Sequence, residues 1–432
     1  MFKKDMQKYH LHAYQPIIAI ILLILVIIWG FYLNAKAAVL PMGLFAGLVF
    51  GYALTRGRAG FTGGICRLYN RGEGSLTKAL FLMIVVTAFI NLAIQWKAQI
   101  GGAIPAFVNP LSHHIIPGTQ NVRIANIATI IGGFLFGFGM VCAGGCASGT
   151  LTDFGEGEGR ALVALIFFIL AAAPGQWLGT VIDNSKIGKV GVTVWLPKYI
   201  GYSGAILVTV IVFGLLYICV RKYENVRKAN HSAHEANDDW LEYEKPLTSD
   251  EPFKLNSWNT YHHLFIERWS FTRSLILVAL GAAFVLITTG KAWGITTSFV
   301  AVDQKFLGLF GIHTAFKETA KIMASGLLFD NGTIRNIGIV LGSLICFLLA
   351  GRFSFKFNFK FHDMCVYALG GLCMGLGSRI ARGCNIGALY SSITNFSLHG
   401  YLFMLFLVLG AFSALHIFEG RVNIIPKRTD KK

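Results

Sequence analysis

Ten apolar runs punctuate the chain, at roughly 15–34, 38–55, 76–95, 125–142, 160–183, 201–221, 273–290, 334–351, 364–381 and 399–418. A helix of about 20 predominantly apolar residues crosses the hydrocarbon of a bilayer, where no water satisfies an exposed backbone group. Runs of that length, repeated that often, leave one fold class: an all-α, polytopic helical membrane protein. Of the 432 residues, 54% are hydrophobic and 14% charged, with a mean hydropathy of +0.59. A soluble domain is about a quarter charged, so the composition argues the same way.

The first run is preceded by Lys3, Lys4 and Lys8 and followed by Ala35-Lys36-Ala37, the outline of a signal peptide. Its stretch from Pro16 to Tyr32 is longer than a typical signal core, so it is expected to stay as the first span.

The formal net charge is +17, which in a soluble chain would suggest nucleic acid. Here the basic residues gather at loop ends and termini: Arg56, Arg58, Arg67, Arg71 and Lys78; Arg352, Lys356 and Lys360; Lys427, Arg428, Lys431 and Lys432. That is the positive-inside pattern of a membrane protein. No nucleic-acid partner is expected. The pattern predicts a multi-pass protein of the cell inner (plasma) membrane, surrounded by lipid, with an even number of spans and both termini cytoplasmic.

One segment interrupts the apolar pattern. Between Arg221 and Arg273 lie Glu224, Asp238, Asp239, Glu242, Glu244, Asp250, Glu251 and several basic residues. The expected division is a first transmembrane repeat at 1–220, a polar cytoplasmic linker at 221–272 and a second transmembrane repeat at 273–432. Trp240, Trp258 and Trp269 suggest that parts of the linker lie against the membrane surface.

The two halves are related. Residues 132–149, GGFLFGFGMVCAGGCASG, align without a gap on 370–387, GGLCMGLGSRIARGCNIG, and eight of 18 columns are identical, including Cys146 and Cys384. LTRGRAGFTGG at 54–64 corresponds more weakly to ITTGKAWGITT at 287–297. Counting spans from a cytoplasmic N-terminus puts the loops after Cys146 and Cys384 on opposite sides. The halves are therefore expected to be inverted, pseudo-symmetric repeats, an arrangement that places a transporter's site at the repeat interface.

Non-helical backbone at membrane depth is tolerated only when buried in protein or lining a cavity. Gly133/Gly137 and Gly371/Gly375 read as helix–helix contacts. Gly144-Gly145-Cys146 and Arg382-Gly383-Cys384 read instead as re-entrant breaks whose half-helix N–H groups attract an anion. Arg379 and Arg382 follow directly on an apolar run, where charge costs about 2.5–3.5 kcal/mol on the insertion scale. They either snorkel to the interface or form an electropositive mouth. Apolar surroundings keep a thiol neutral, which makes it a weak donor suited to holding and releasing a sulfur-bearing anion.

Of the eight cysteines, Cys219, Cys346, Cys365 and Cys373 fall in apolar runs as small hydrophobes. None pairs with histidine at zinc-ligand spacing, so neither metal nor cofactor is expected. Asp153, Glu156 and Glu158, after the first Cys, read as a solvated loop, with a proton relay as the alternative.

The segments GFLFGFGMVCAGGCASG, GLGSRIARGCNIGALYSSITNFSLHG and ITTGKAWGITTSF resemble the YeeE/YedE, or sulfur-transport-domain, family of membrane proteins. The resemblance covers most of both halves and leaves out the 221–273 connection. It implies an inverted-repeat bundle that imports thiosulfate or serves selenium metabolism, passing its substrate along central cysteines through S–H···S contacts. Cys146 and Cys384 match two of those cysteines. The third stands in a stretch like Arg-x-Gly-Phe-Cys; here Arg58-Ala59-Gly60-Phe61 is followed by Thr62, with Cys66 one helical turn further as a substitute. The expected substrate-binding set is Cys146, Cys384, Cys66, Thr62, Gly145, Gly383, Arg382, Arg379 and Asn385, around a small sulfur oxyanion. Three alternatives stand beside it. One is a selenium-compound transporter of the same family. Another is a membrane thiol redox or sulfur-transfer protein using Cys142 and Cys146. The last is a scaffold that docks a cytoplasmic sulfur-carrier protein.

Overall fold

The computed structural model of the protein describes residues 3–109, 112, 114–247, 254 and 256–429; Asp250, Glu251, Lys431 and Lys432 lie outside them. The described residues form eighteen α-helices. The first half holds α1 (Lys3–Lys8), α2 (Gln15–Asn34), α3 (Val39–Gly57), α4 (Phe61–Arg71), α5 (Ser75–Ile100), α6 (Ile127–Ala143), α7 (Ala147–Gly155), α8 (Gly159–Leu170), α9 (Ala172–Asn184) and α10 (Leu196–Ala229). The rest holds α11 (Trp258–Tyr261), α12 (Phe271–Thr289), α13 (Thr296–Leu309), α14 (Ala320–Ser325), α15 (Asn331–Leu349), α16 (Phe361–Ile380), α17 (Ser391–Thr394) and α18 (Leu398–Phe418). A π-helical turn, Asn385–Tyr390, leads into α17.

Among the described residues nine helical segments are long and apolar enough to cross a bilayer, and α8 with α9, bent by 42°, supply a tenth. Each of the ten apolar runs is one of them. The α10 helix reaches beyond its run at both ends, starting before a kink at Gly201 (φ 67°) and continuing to Ala229. The outer helix α2 exposes Ile17, Ile21, Ile24, Ile28 and Phe31, an apolar face of the kind a membrane-spanning helix presents.

Glycine sets the inner packing. The duplicated helices α6 and α16 cross antiparallel: a Cβ on Gly132 would lie 2.6 Å from the Gly377 carbonyl oxygen, and one on Gly139 2.6 Å from that of Gly370. The repeat alignment exchanges these two contacts, so the crossing maps onto itself. Gly133 and Gly137 lie against α18 at Phe403 and Leu407, as Gly371 and Gly375 lie against α8 at Ala164 and Phe168. The upstream glycines are helix contacts, where a missing side chain lets backbones approach. In the same way α3 runs beside α15 through Gly47 and Gly51.

Both described termini and the polar connection share one end of the bundle. His12 N–H donates to Gly351 O (2.7 Å), Thr429 N–H to Asn70 O (3.1 Å) and His234 N–H to Arg71 O (2.9 Å). The connection is anchored by Glu244, fully buried, which accepts from Arg58 (2.8 Å) and Arg352 (2.6 Å), and by Asp239, which accepts from Arg67 (2.6 Å). Its tryptophans pack on protein: Trp240 under Arg268, Trp258 on Tyr9, and Trp269 beside Arg56 and Arg273. At the opposite end two pairs of two-residue strands tie down loops. Ile104–Pro105 runs parallel to Ile115–Ile116, and Ala125–Asn126 antiparallel to Gly191–Val192.

Candidate functional site at two helix breaks

The two breaks have the same backbone. Helix α6 starts under an Asn126–Thr129 capping box and stops at Gly144, whose φ of 75° lies in the left-handed well. Its counterpart Arg382 takes the same well at 57°. Cys146 and Cys384 then each sit at an N-cap in extended conformation, with φ/ψ of −76°/−175° and −92°/−167°. Each Cys carbonyl accepts from the amide four residues on, Thr150 and Ala388, both at 2.7 Å. Neither N-cap is closed by a cap hydrogen bond from its own side chain.

The breaks meet inside the bundle. Cys146 (1% exposed) and Cys384 (0%) belong to one core cluster with Met140 and Tyr390, and the helical turns that follow them pack together. The Cys146 Sγ lies 3.4 Å from Ser148 Oγ. Asn385, fully buried, donates to Met140 Sδ at 3.4 Å, and its Oδ1 has no partner among the described residues. Gly383 has no room for a side chain, since a Cβ would meet the Ala388 amide nitrogen at 2.5 Å.

A cavity of about 240 Å³ opens beside Cys146 toward the end that bears the termini. Its walls include Arg58, Gly60, Thr62, Gly144, Gly145, Cys146, Asp153, Glu156 and Arg160. Thr62 is buried, and its hydroxyl has no hydrogen-bond partner among the described residues. Cys66, one turn along α4, lies outside this lining. Of the two candidates for the third position, the structure brings Thr62 to the cavity with Cys146.

At the other end the two arginines part company. Arg382 is bound on both sides by carboxylates distant in sequence, Asp183 (2.5 Å) and Glu318 (3.1 Å). Arg379, 4% exposed, has no carboxylate partner among the described residues; it donates to Gln176 Oε1 (2.9 Å), Thr296 Oγ1 (3.1 Å) and Thr297 Oγ1 (3.4 Å). Arg123 stands within electrostatic reach of both arginines and of Glu318 and Asp183. Three guanidiniums against two carboxylates leave this cluster one net positive charge, and neither Arg379 nor Arg123 makes an ion pair among the described residues. Thr297 also lines a second cavity of about 670 Å³ with Lys291, Lys317, Lys321 and Arg335. The site thus adds Gln176, Thr296 and Thr297 to the expected residues. Gln176 is a lone amide within an apolar run, and Thr296 and Thr297 lie in the ITTGKAWGITTSF segment, whose resemblance did not single them out.

The Sulphur transport family model matches residues 56–413. The thiosulfate transporter TsuA of Spirochaeta thermophila is 25% identical over 385 residues, covering 85% of this chain and 96% of its own. The thiosulfate transporter TsuA of Escherichia coli is 26% identical over 394 residues, covering 86% of this chain and 92% of its own. The probable transporter YedE of Escherichia coli is 25% identical over 174 residues, covering 39% of this chain and 42% of its own. With duplicated Gly-Cys breaks at the centre of its bundle and a match over most of its length, the chain belongs to the Sulphur transport family of membrane proteins.

Proposed function

We propose that the protein imports thiosulfate, or a similarly small sulfur oxyanion, across the inner membrane. One observation carries the reading: two sulfhydryls at duplicated N-caps lie in the same buried cluster, between an end with net positive charge and a cavity at the opposite end. The anion gathers at Arg379, passes Asn385, Cys384 and Cys146, and leaves beside Thr62 on the face that bears the termini, which is cytoplasmic by the positive-inside rule. The halves at 1–220 and 273–432 act as inverted repeats around this path, with 221–272 as the cytoplasmic linker. Neutral thiols and amide N–H groups hold the anion by many weak donors rather than one strong cation, so each step of release stays easy. Alignment with the two thiosulfate transporters over more than nine-tenths of their length supports thiosulfate as the substrate.

Uptake of labelled thiosulfate into proteoliposomes holding the purified protein tests this. Cys146→Ala and Cys384→Ala are each expected to abolish uptake while the protein stays monodisperse in detergent. Undiminished uptake in both variants refutes the path.

A further inference from the structure

The charges around the Cys146 cavity pair off, with one exception. Arg160 holds Asp153 at 2.8 Å, and Lys356 holds Glu158 at 3.0 Å. Arg58 lines the cavity, and Arg352 stands within electrostatic reach of it; both are claimed by Glu244 of the polar connection, at 2.8 and 2.6 Å. Glu156, partly buried in the turn between α7 and α8, lines the same cavity and makes no ion pair among the described residues. The groups that face it are Asp153 from α7, Arg160 from α8, Thr55 from α3 and Arg58 at its end, Cys346 from α15 and Arg352 from beyond it. The cavity carries a second sign of a ligand: the Thr62 hydroxyl, buried and unpartnered, belongs to its wall.

An ionised Glu156 would repel any anion that reaches Cys146. A protonated Glu156 removes that charge and adds an O–H donor. We propose that Glu156 is the proton site of the transporter, binding one proton together with the sulfur oxyanion in the Cys146 cavity, so that the two move across the membrane together. The inference rests on the transport reading above. The proton joins a carboxylate oxygen of Glu156 while the anion is present and returns to water when the anion leaves. Because binding linkage is reciprocal, an anion that raises proton affinity at Glu156 is itself bound more tightly when the proton is there. Burial and the neighbouring Asp153 carboxylate push the Glu156 carboxyl up to about 7.

The test uses the full-length protein in vesicles containing a pH-sensitive dye, with thiosulfate added under an imposed pH gradient. Acid outside is expected to accelerate thiosulfate entry at least fivefold, and thiosulfate to carry protons inward. Glu156→Gln is expected to exchange thiosulfate at a rate indifferent to the gradient, with no proton movement, and Glu156→Asp to restore both. Thiosulfate uptake by the unaltered protein that ignores the gradient and moves no protons overturns the inference and leaves the transport reading standing. So does wild-type proton movement in Glu156→Gln. No uptake by the unaltered protein under any gradient overturns both. The measurement on the unaltered protein decides the matter even where the Gln variant fails to fold.

Discussion

Gly144 and Arg382, counterparts in the duplicated segment, hold the same left-handed backbone conformation, one as the residue that adopts it freely and the other under strain. That well costs a residue with a Cβ about 1–2 kcal/mol, and Arg382 is kept in it by Asp183 and Glu318. Arg382→Gly loses both ion pairs but sheds the strain, whereas Arg382→Ala loses the pairs and keeps it. In thermal unfolding in detergent the Ala variant is expected to be less stable than the Gly variant by about 1 kcal/mol. Equal stabilities would mean that the strain relaxes without the arginine.

Thr62 and Cys66 separate cleanly by experiment. Burying a hydroxyl without a partner costs about 1–3 kcal/mol, so Thr62→Val is expected to leave the protein as stable or more stable. The same change is expected to slow thiosulfate uptake about tenfold, equivalent to 1.4 kcal/mol, through loss of a donor in the cavity wall. Thr62→Cys, close in size, is expected to keep uptake. Cys66→Ala is expected to leave it within about twofold, because Cys66 lies outside the cavity lining. A collapse of uptake in Cys66→Ala alone would move the third position to that sulfur.

Arg379 makes no ion pair with a carboxylate among the described residues and is held by neutral oxygens instead. Hydrogen bonds to a charged group contribute about 1.5–3 kcal/mol, so Arg379→Gln is expected to weaken thiosulfate binding roughly 10- to 100-fold in titration calorimetry. Arg379→Lys is expected to restore only part of it. A point charge does not reproduce the fork that spans Gln176 and two threonines.

The docked polar connection carries a pH signature of known sign. Burial opposes the Asp239 charge, but the Arg67 hydrogen bond and the Arg268 and Arg71 charges hold its carboxyl below the ordinary range. Its contribution is complete above about pH 3.9 and is lost only as pH falls through the lower folded value. Burial pushes His262 down, with its Nε2–H donating to Tyr243 O at 2.8 Å. The undocked state therefore binds a proton first, and docking is complete above about pH 6.5 and weakens below it. Hydrogen exchange at amides 256–268 is expected to accelerate beyond its intrinsic rate between pH 7.5 and 5. His262→Gln is expected to flatten that response.

Much of this was legible from the chain alone, for reasons that belong to the solvent. Lipid offers no partner to backbone groups, so each of the ten apolar runs had to be a helix, and the duplicated Gly-Cys decamers had to mark breaks protected by protein. The spacing of Gly133 and Gly137 announced a helix contact, and the antiparallel crossing of α6 and α16 delivers it. What the sequence could not rank were alternatives that depend on partners brought from afar. Arg379 and Arg382 looked equivalent until folding placed Asp183 and Glu318 beside one and only neutral groups beside the other. Thr62 and Cys66 share a helix face, and only the cavity's position separates them. The polar connection read as a linker with parts lying on the membrane surface, yet Glu244 buries itself among arginines from both halves. Secondary structure and membrane class follow from local apolar length, which a sequence displays directly. Charge balance, cavity walls and the packing together of two helix breaks are sums over residues hundreds of positions apart, and only the packed chain performs them.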